Sequence, residues 1–338
     1  AALTTTVVGL LGLDPLLRAL GAQGETFGYA HDYAVVILAG AVVSTGFSSL
    51  VRAEGRMRFS TMLWVVPVVV QIVLDPLLIY GLDLGVRGAA LGTVGGQAVS
   101  AAMSVWFFFV QRRRPYRVSL ADLRPRARTV GTVLGIGAPS FLAGFGATLL
   151  AVVVNTTLVA VGGATALAAF AICARIQTFV AMPQLGISQG MQPIVGYNAG
   201  RRLVDRVALA RVLSVRATLV YSVLASALVA VAAGPLVGFF VDEPAVRSSA
   251  ADALRIMAVG FAAAGVTPLV SAYFQAVGHP RPSYALSVGT LVVVKVPLVL
   301  VLGHAYGTTG IWVGLAAGEL VSAAASALVL RRIAPAPR

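Results

Sequence analysis

Four ionisable side chains lie well inside apolar stretches of this sequence: Asp75, Arg175, Lys295 and Glu319. A charge at the centre of a membrane-length helix costs about 2.5–3.5 kcal/mol, so each needs a partner, water or neutralisation. Asp75 is the most informative. In Gln71-Ile72-Val73-Leu74-Asp75-Pro76 the i, i+4 spacing puts an amide and a carboxyl on one helical face. Pro76 removes a backbone donor and so frees carbonyls to meet a polar ligand. A carboxyl in a partly dry cavity can take up and release a proton as access alternates, so Asp75 reads either as a coupling residue or, a turn or so from the outer end of its span, as a solvated or locally bonded one. Glu319 aligns with Gln97 across an internal repeat and reads either as functional or as a helix-to-helix hydrogen bond. Lys295 and Arg175 read as counter-ions or as cations that snorkel toward a membrane surface.

A denser polar set occupies residues 164–200: Arg175, Gln177, Gln184, Ser188, Gln189, Gln192 and Asn198, with Pro183 and Pro193 as bend points. It reads either as the wall of a water-filled cavity or as hydrogen bonding between helices. Phe141, Phe145, Phe170, Phe179 and Met182 add an adaptable apolar lining or plain packing. The substrate cavity is expected at Asn155, Arg175, Gln177, Met182, Gln192, Lys295 and Glu319. Gly186-Ile187-Ser188-Gln189-Gly190 fits a G-x-S-x-G pattern, but the three histidines, His31, His279 and His304, fall at span ends or in a loop, so no base is in place and no enzyme is expected. There is no metal-ligand cluster, phosphate-binding loop or dinucleotide fingerprint, and no cofactor is expected.

The elements that must position these residues are membrane helices. Only 11% of the 338 residues are charged and the mean hydropathy is +0.91, far from a water-soluble composition. Apolar stretches long enough to cross a hydrocarbon core of about 30 Å recur at 1–13 (partial), 30–50, 59–80, 88–110, 130–160, 165–196, 208–240, 251–275, 284–303 and 309–330. Arginines crowd alternate connections: Arg52, Arg56 and Arg58, then seven between Arg112 and Arg128, then Arg201, Arg202, Arg206 and Arg211, then Arg281, Arg331 and Arg332. That side is expected to be the cytoplasm. The formal charge of +13 is thus a topological signal that suits anionic lipid headgroups and excludes a nucleic-acid face.

The chain is also duplicated. Gly85, Gly88, Gly92, Gly96, Val99, Ser100, Ala101, Ala102 and Ser104 recur 222 residues on, from Gly307 to Ser326, and Arg52-Ala53-Glu54-Gly55 is echoed by Gln275-Ala276-Val277-Gly278. An even number of spans separates the copies, so the halves are parallel repeats. Gly88-x3-Gly92-x3-Gly96 and Gly310-x3-Gly314-x3-Gly318 each place small residues on one face for close helix packing. The second unit begins near Thr129, which leaves on the order of ninety residues of the first unit unmatched, about two and a half helices at the length of a span. A fragment is therefore expected, and with it no transport by residues 1–338 alone.

Arg52-x-Glu54-Gly55, Gln71-x3-Asp75-Pro76-Leu77 and Gly85-Val86-x-Gly88-Ala89-Ala90-x-Gly92-Thr93 resemble the first lobe of the multidrug and toxic compound extrusion (MATE) family. Gly190-x-Gln192-Pro193-Ile194-x-Gly196-Tyr197-Asn198-x-Gly200 and Phe274-Gln275-Ala276-x-Gly278 resemble its second lobe. The resemblance implies twelve helices in two six-helix lobes, with this chain running from the end of helix 3 to helix 12. It also implies drug efflux driven by inward flow of protons or Na⁺. In the DinF-like branch the first-lobe cation site uses an Asn and an Asp one turn apart, a Thr on the next helix and an Asp on helix 1. Asp75 and Thr93 match two of these, and Gln71 stands where the Asn is usual. Spans 130–160 and 251–275 lack the interior acids of the NorM-like branch, so the DinF-like branch is favoured, with protons ahead of Na⁺.

The expected fold is thus an all-α integral membrane protein of two pseudo-symmetric parallel-repeat bundles: an incomplete first lobe over 1–110, a cytoplasmic linker over 111–128 and a second lobe over 129–338. The expected activity is antiport of amphipathic or cationic compounds against H⁺ or Na⁺, with the ion at Asp75, Gln71 and Thr93. The expected setting is a bacterial cytoplasmic membrane, as a monomer with its C-terminus inside. The alternatives are a lipid-linked saccharide flippase and a non-transporting membrane scaffold or receptor.

Overall fold

In a computed structural model, residues 2–19, 24–43, 47–111 and 126–333 are described. Most of the expected linker, 112–125, lies outside them. Every regular element among the described residues is a helix, as hydrocarbon requires of a chain with open ends, since each backbone donor must be satisfied within its own segment. The chain divides into two compact units, Ala1–Arg124 and Pro125–Arg338.

The first unit holds α1 (Ala2–Leu11), α2 (Leu13–Ala19), α3 (Gly24–Gly40), α4 (Phe47–Ala53), α5 (Met57–Gly81) and α6 (Gly85–Val110). Here α6 packs on both α5 and α3, and an Arg87–Asp32 ion pair at 2.8 Å ties α6 to α3. The second unit holds α7 (Ala127–Gly200), α8 (Val204–Val231), α9 (Ala233–Gly238), α10 (Pro244–Ala276) and α11 (Pro280–Ile333). Its hub is α10, where 56% of the apolar window is buried within the protein against 6% for α5. Leu254, Met257 and Phe261 on α10 pack with Leu158, Ile311 and Trp312, and Tyr273 and Phe274 pack with Val195 and Leu286. By contrast Val65, Val69, Ile72 and Val73 of α5 stay exposed, a surface suited to hydrocarbon.

Hydropathy places the helix centres and misses their ends. The expected stretch 251–275 begins at Pro244, and 208–240 runs from Val204 to Val231 before a turn into α9. The expected span 30–50 is Gly24–Gly40 followed by Phe47–Ala53. The physical reason is that a helix continues through the charged residues flanking its apolar centre, here Asp205, Arg206 and Arg247, while its backbone bonds still close. Pro244 sits in the first turn of α10, where a missing N–H costs nothing.

At 1.5 Å per residue, the 74-residue α7 would be about 110 Å long, more than three times the hydrocarbon thickness. It turns at Gly163 (φ 64°, ψ −158°), and α11 turns at Gly307 (φ 62°, ψ −143°). Both conformations belong to a region that side chains exclude. Each helix therefore supplies two crossings, arms 127–162 and 164–200 for α7 and arms 280–306 and 308–333 for α11. Gly163→Ala is expected to destabilise the second unit by about 1–3 kcal/mol, read as a lower thermal unfolding midpoint.

The duplication extends to individual hydrogen bonds. Gly55 and Gly278 (φ 78° and 79°) both terminate a helix, with Arg56 N–H donating to Val51 O at 3.2 Å and His279 N–H to Phe274 O at 2.9 Å, the 6→1 bond of a Schellman cap. Ser60 Oγ donates to Ser48 O at 2.9 Å, and Ser283 Oγ to Ser271 O at 2.8 Å. Ser104 donates to Ser100 O and Ser326 to Ser322 O, each at 2.8 Å. Gly85 and Gly307 share a positive φ at the break between paired helices.

Candidate functional site

In the first unit the glycine stripe of α6 lies against α5. A methyl added at Gly88 would meet Leu78 O at 2.7 Å, and one at Gly96 would meet Pro67 O at 2.8 Å and Gln71 Cβ at 3.5 Å. Between them Gly92 leaves room for the Asp75 carboxylate, whose Oδ1 occupies the space that a side chain there would take. The stripe thus brings Thr93, one residue on, to the polar face of α5. Gln71 Nε2 donates to Asp75 Oδ2 at 3.3 Å and to Thr93 Oγ1 at 3.1 Å, and Thr93 Oγ1 donates to Ala89 O at 3.1 Å. All three side chains are half-buried. Asp75 Oδ1 is buried and has no hydrogen-bond partner among the described residues. Immediately after Pro76, α5 widens to π-helical geometry over Leu77–Gly81, a distortion common at functional sites.

A buried carboxylate oxygen without a donor is costly unless a proton or cation meets it. The chemistry this donor set offers is capture of a small cation or a proton: one anionic oxygen, one hydroxyl and one amide. The amide carries a donor and an acceptor on one pivot.

In the second unit the stripe of α11 lies against the preceding arm of the same helix. Methyls at Gly310, Gly314 and Gly318 would meet Leu302 O, Leu298 O and the Lys295 side chain. Lys295 Nζ donates to Glu319 Oε1 at 2.6 Å, with the side chains only 19% and 17% exposed. These two residues of the expected cavity are brought together as an ion pair. Asn155 on the first arm of α7 and Arg175 and Met182 on the second are exposed, while Gln177 and Gln192 are half-buried. Phe141, Phe145 and Phe179 are also exposed, whereas Phe170 stacks on Trp312 at 6.1 Å between ring centres.

For Gln184 the structure favours bonding between helices over a cavity wall. Gln184 is 5% exposed and donates from Nε2 to Ser222 Oγ at 2.8 Å, which makes it a bond between α7 and α8. Asn198 donates to Ile194 O in its own helix at 2.8 Å. Ser188 Oγ is buried and without a hydrogen bond among the described residues. The missed partner, Ser222, stands in a row of hydroxyls, Thr218, Ser222 and Ser226, spaced four apart on α8. Ser226 bonds Ala258 O, and Thr218 packs where Gly265 leaves a gap. Arg211, counted with the loop cations, is instead buried inside α8 with its guanidinium 5.7 Å from the centre of the Tyr273 ring, a cation–π contact that offsets its burial.

A family profile described as MatE matches residues 139–301. The chain is 26% identical over 326 residues to the multidrug export protein MepA of Staphylococcus saprophyticus, covering 95% of this chain and 71% of that protein. It superposes with a TM-score of 0.91 on a multidrug resistance MATE family transporter of the MOP superfamily, at 26% identity over 98% of this chain and 75% of the other. A MOP superfamily transporter from Pyrococcus furiosus gives the same TM-score at 27% identity, over 98% of this chain and 75% of that one. The chain is similar to MATE family transporters in both sequence and structure. It is an all-helical, multi-pass membrane protein, and the resemblance to MATE transporters read from its motifs recurs in these matches. The profile falls within the second unit, whereas the hydrogen-bonded Gln71–Asp75–Thr93 group lies in the first.

Proposed function

We propose that this protein is a secondary antiporter that exports amphipathic, cationic or aromatic compounds in exchange for H⁺ or Na⁺. It sits in a bacterial cytoplasmic membrane with its arginine-rich loops and C-terminus inside. The observation that carries the ion coupling is the buried, unpartnered Oδ1 of Asp75 beside Gln71 and Thr93. Export of drugs is supported by the name of the staphylococcal relative, a multidrug export protein.

The bare carboxylate draws a proton or cation, and loading neutralises it. Gln71 serves both states, because half a turn of its amide exchanges a donor for an acceptor at the same point. Loading stabilises one arrangement of α5 and α6 over the other, and a substrate that prefers the opposite arrangement is expelled. Coupling needs no more than this difference in affinity between two states. The fit of π-helical geometry next to Asp75 is that such a turn can change pitch without breaking the helix.

The test uses the protein expressed from its own gene, reconstituted in liposomes loaded with a cationic dye. Imposing a pH or Na⁺ gradient is expected to start dye export, and an ionophore that collapses the gradient is expected to stop it. Dye flux indifferent to both gradients overturns the proposal.

A further inference from the structure

The two copies of the glycine stripe are 222 residues apart, but the helices they lie on are not. Gly88 rests on Leu78 and Gly310 on Leu302, a separation of 224. Gly96 rests partly on Gln71 and Gly318 on Lys295, again 224 apart. At the start of the same helices, Ser60 and Ser283 make their equivalent bonds 223 apart. The second copy has therefore taken in one more residue between these points. That stretch is the π-helical segment Ala285–Lys295, whose i→i+5 bonds each enclose one more residue than the i→i+4 bonds of an α-helix. Without the extra residue Val294 would face the stripe. With it, Lys295 does.

Lys295 thus stands in the second unit where Gln71 stands in the first. The carboxyl has moved across the seam, from Asp75 on the first helix of the pair to Glu319 on the second, one residue beyond Gly318. In the first unit the acid is left with a buried oxygen that has no hydrogen-bond partner among the described residues. In the second the acid is met at 2.6 Å by an ammonium on the neighbouring helix.

We infer that Lys295 is a built-in cation: its ammonium holds, at Glu319, the place that the exchangeable ion takes at Asp75. The second unit is then permanently loaded, and transport couples to one ion site in the first. This rests on the antiport reading for the meaning of Asp75, and its own test does not. A tethered ammonium at contact distance in a partly dry site makes a strong charge-assisted bond, and a free monovalent ion cannot displace it without freeing a second charge.

The experiment replaces the tether by a free ligand. Lys295→Ala removes three methylenes and the ammonium, which are the atoms of n-propylammonium. In purified protein, n-propylammonium at about 100 times its Kd is expected to raise the unfolding midpoint of Lys295→Ala by at least about 2 °C. It is expected to leave wild type and Lys295→Ala/Glu319→Gln unmoved. Titration with Na⁺ and with protons adds a second reading: Asp75→Asn loses its ion-dependent shift in midpoint, and adding Lys295→Ala restores one that Glu319→Gln removes. Equal stabilisation of wild type or of the Glu319→Gln variant by propylammonium, or none of Lys295→Ala, overturns the inference whatever becomes of Asp75. If Lys295→Ala yields no folded protein, Lys295→Gln takes its place in the ion titration, since it installs the amide found at Gln71; absence of a Glu319-dependent shift there overturns the inference.

Discussion

Asp75→Asn is expected to give a folded protein whose dye export no longer follows a pH or Na⁺ gradient. The substitution keeps the shape of the side chain and an oxygen for the Gln71 amide at 3.3 Å, so packing against Gly92 survives. It removes the negative charge. A polar contact to a charged group is worth about 1.5–3 kcal/mol, so losing the charge weakens ion binding by about 10- to 100-fold. The readout is the rate of dye efflux from liposomes under an imposed gradient, with the unfolding midpoint measured on the same sample. Full gradient-dependent efflux at wild-type rate would remove Asp75 from the mechanism. A collapse of the midpoint would show instead that Asp75 acts in folding.

Gly310→Ala is expected to be the more damaging of two substitutions that look alike in the sequence. In both Gly92 and Gly310 an added methyl would overlap an oxygen of the neighbouring helix. At Gly92 that oxygen is the Asp75 carboxylate, the end of a side chain that can swing away. At Gly310 it is the Leu302 carbonyl, part of the backbone of the preceding arm, so the arms of α11 must separate. Overpacking of this kind costs typically about 1–3 kcal/mol, and a rigid obstacle places Gly310→Ala at the upper end. Gly92→Ala is expected to lose stability by less than about 1.5 kcal/mol while losing gradient-driven efflux, because its methyl evicts the carboxylate. Gly131→Ala, where nothing lies within 4 Å, serves as the unaffected control. Thermal unfolding of the three variants in detergent, with efflux measured beside it, checks the order. A midpoint for Gly310→Ala no lower than that of Gly92→Ala contradicts the argument.

Much of this was legible before any coordinate. Long apolar stretches betray membrane helices because hydrocarbon leaves a chain few other choices, and the repeat at 222 residues announced two related units. Gln71 and Asp75 were readable as partners because i, i+4 spacing within one helix fixes which side chains meet. Lys295 and Glu319 were not, because their meeting depends on how two helices slide past each other, and a single residue held in a wide turn alters that slide with no mark in hydropathy. The polar set around Gln184 was ambiguous for a different reason. A glutamine among apolar residues suits water in a cavity and a serine on the next helix equally well, and only burial against Ser222 separates the two. Helix ends such as Pro244 ran beyond the apolar centre because backbone bonding, which hydropathy does not register, carries a helix into the headgroup zone.

The wide turns of Ala285–Lys295 show how twin halves of a carrier can drift apart in chemistry while staying alike in shape. One inserted codon, absorbed without a loop, readdresses each following side chain until the next break in the helix. The glycines opposite still find a backbone to lean on, so selection can trial a new charge at an old meeting point without dismantling the bundle. Deleting one residue from that stretch would return an aliphatic side chain to the seam and leave Glu319 facing it alone.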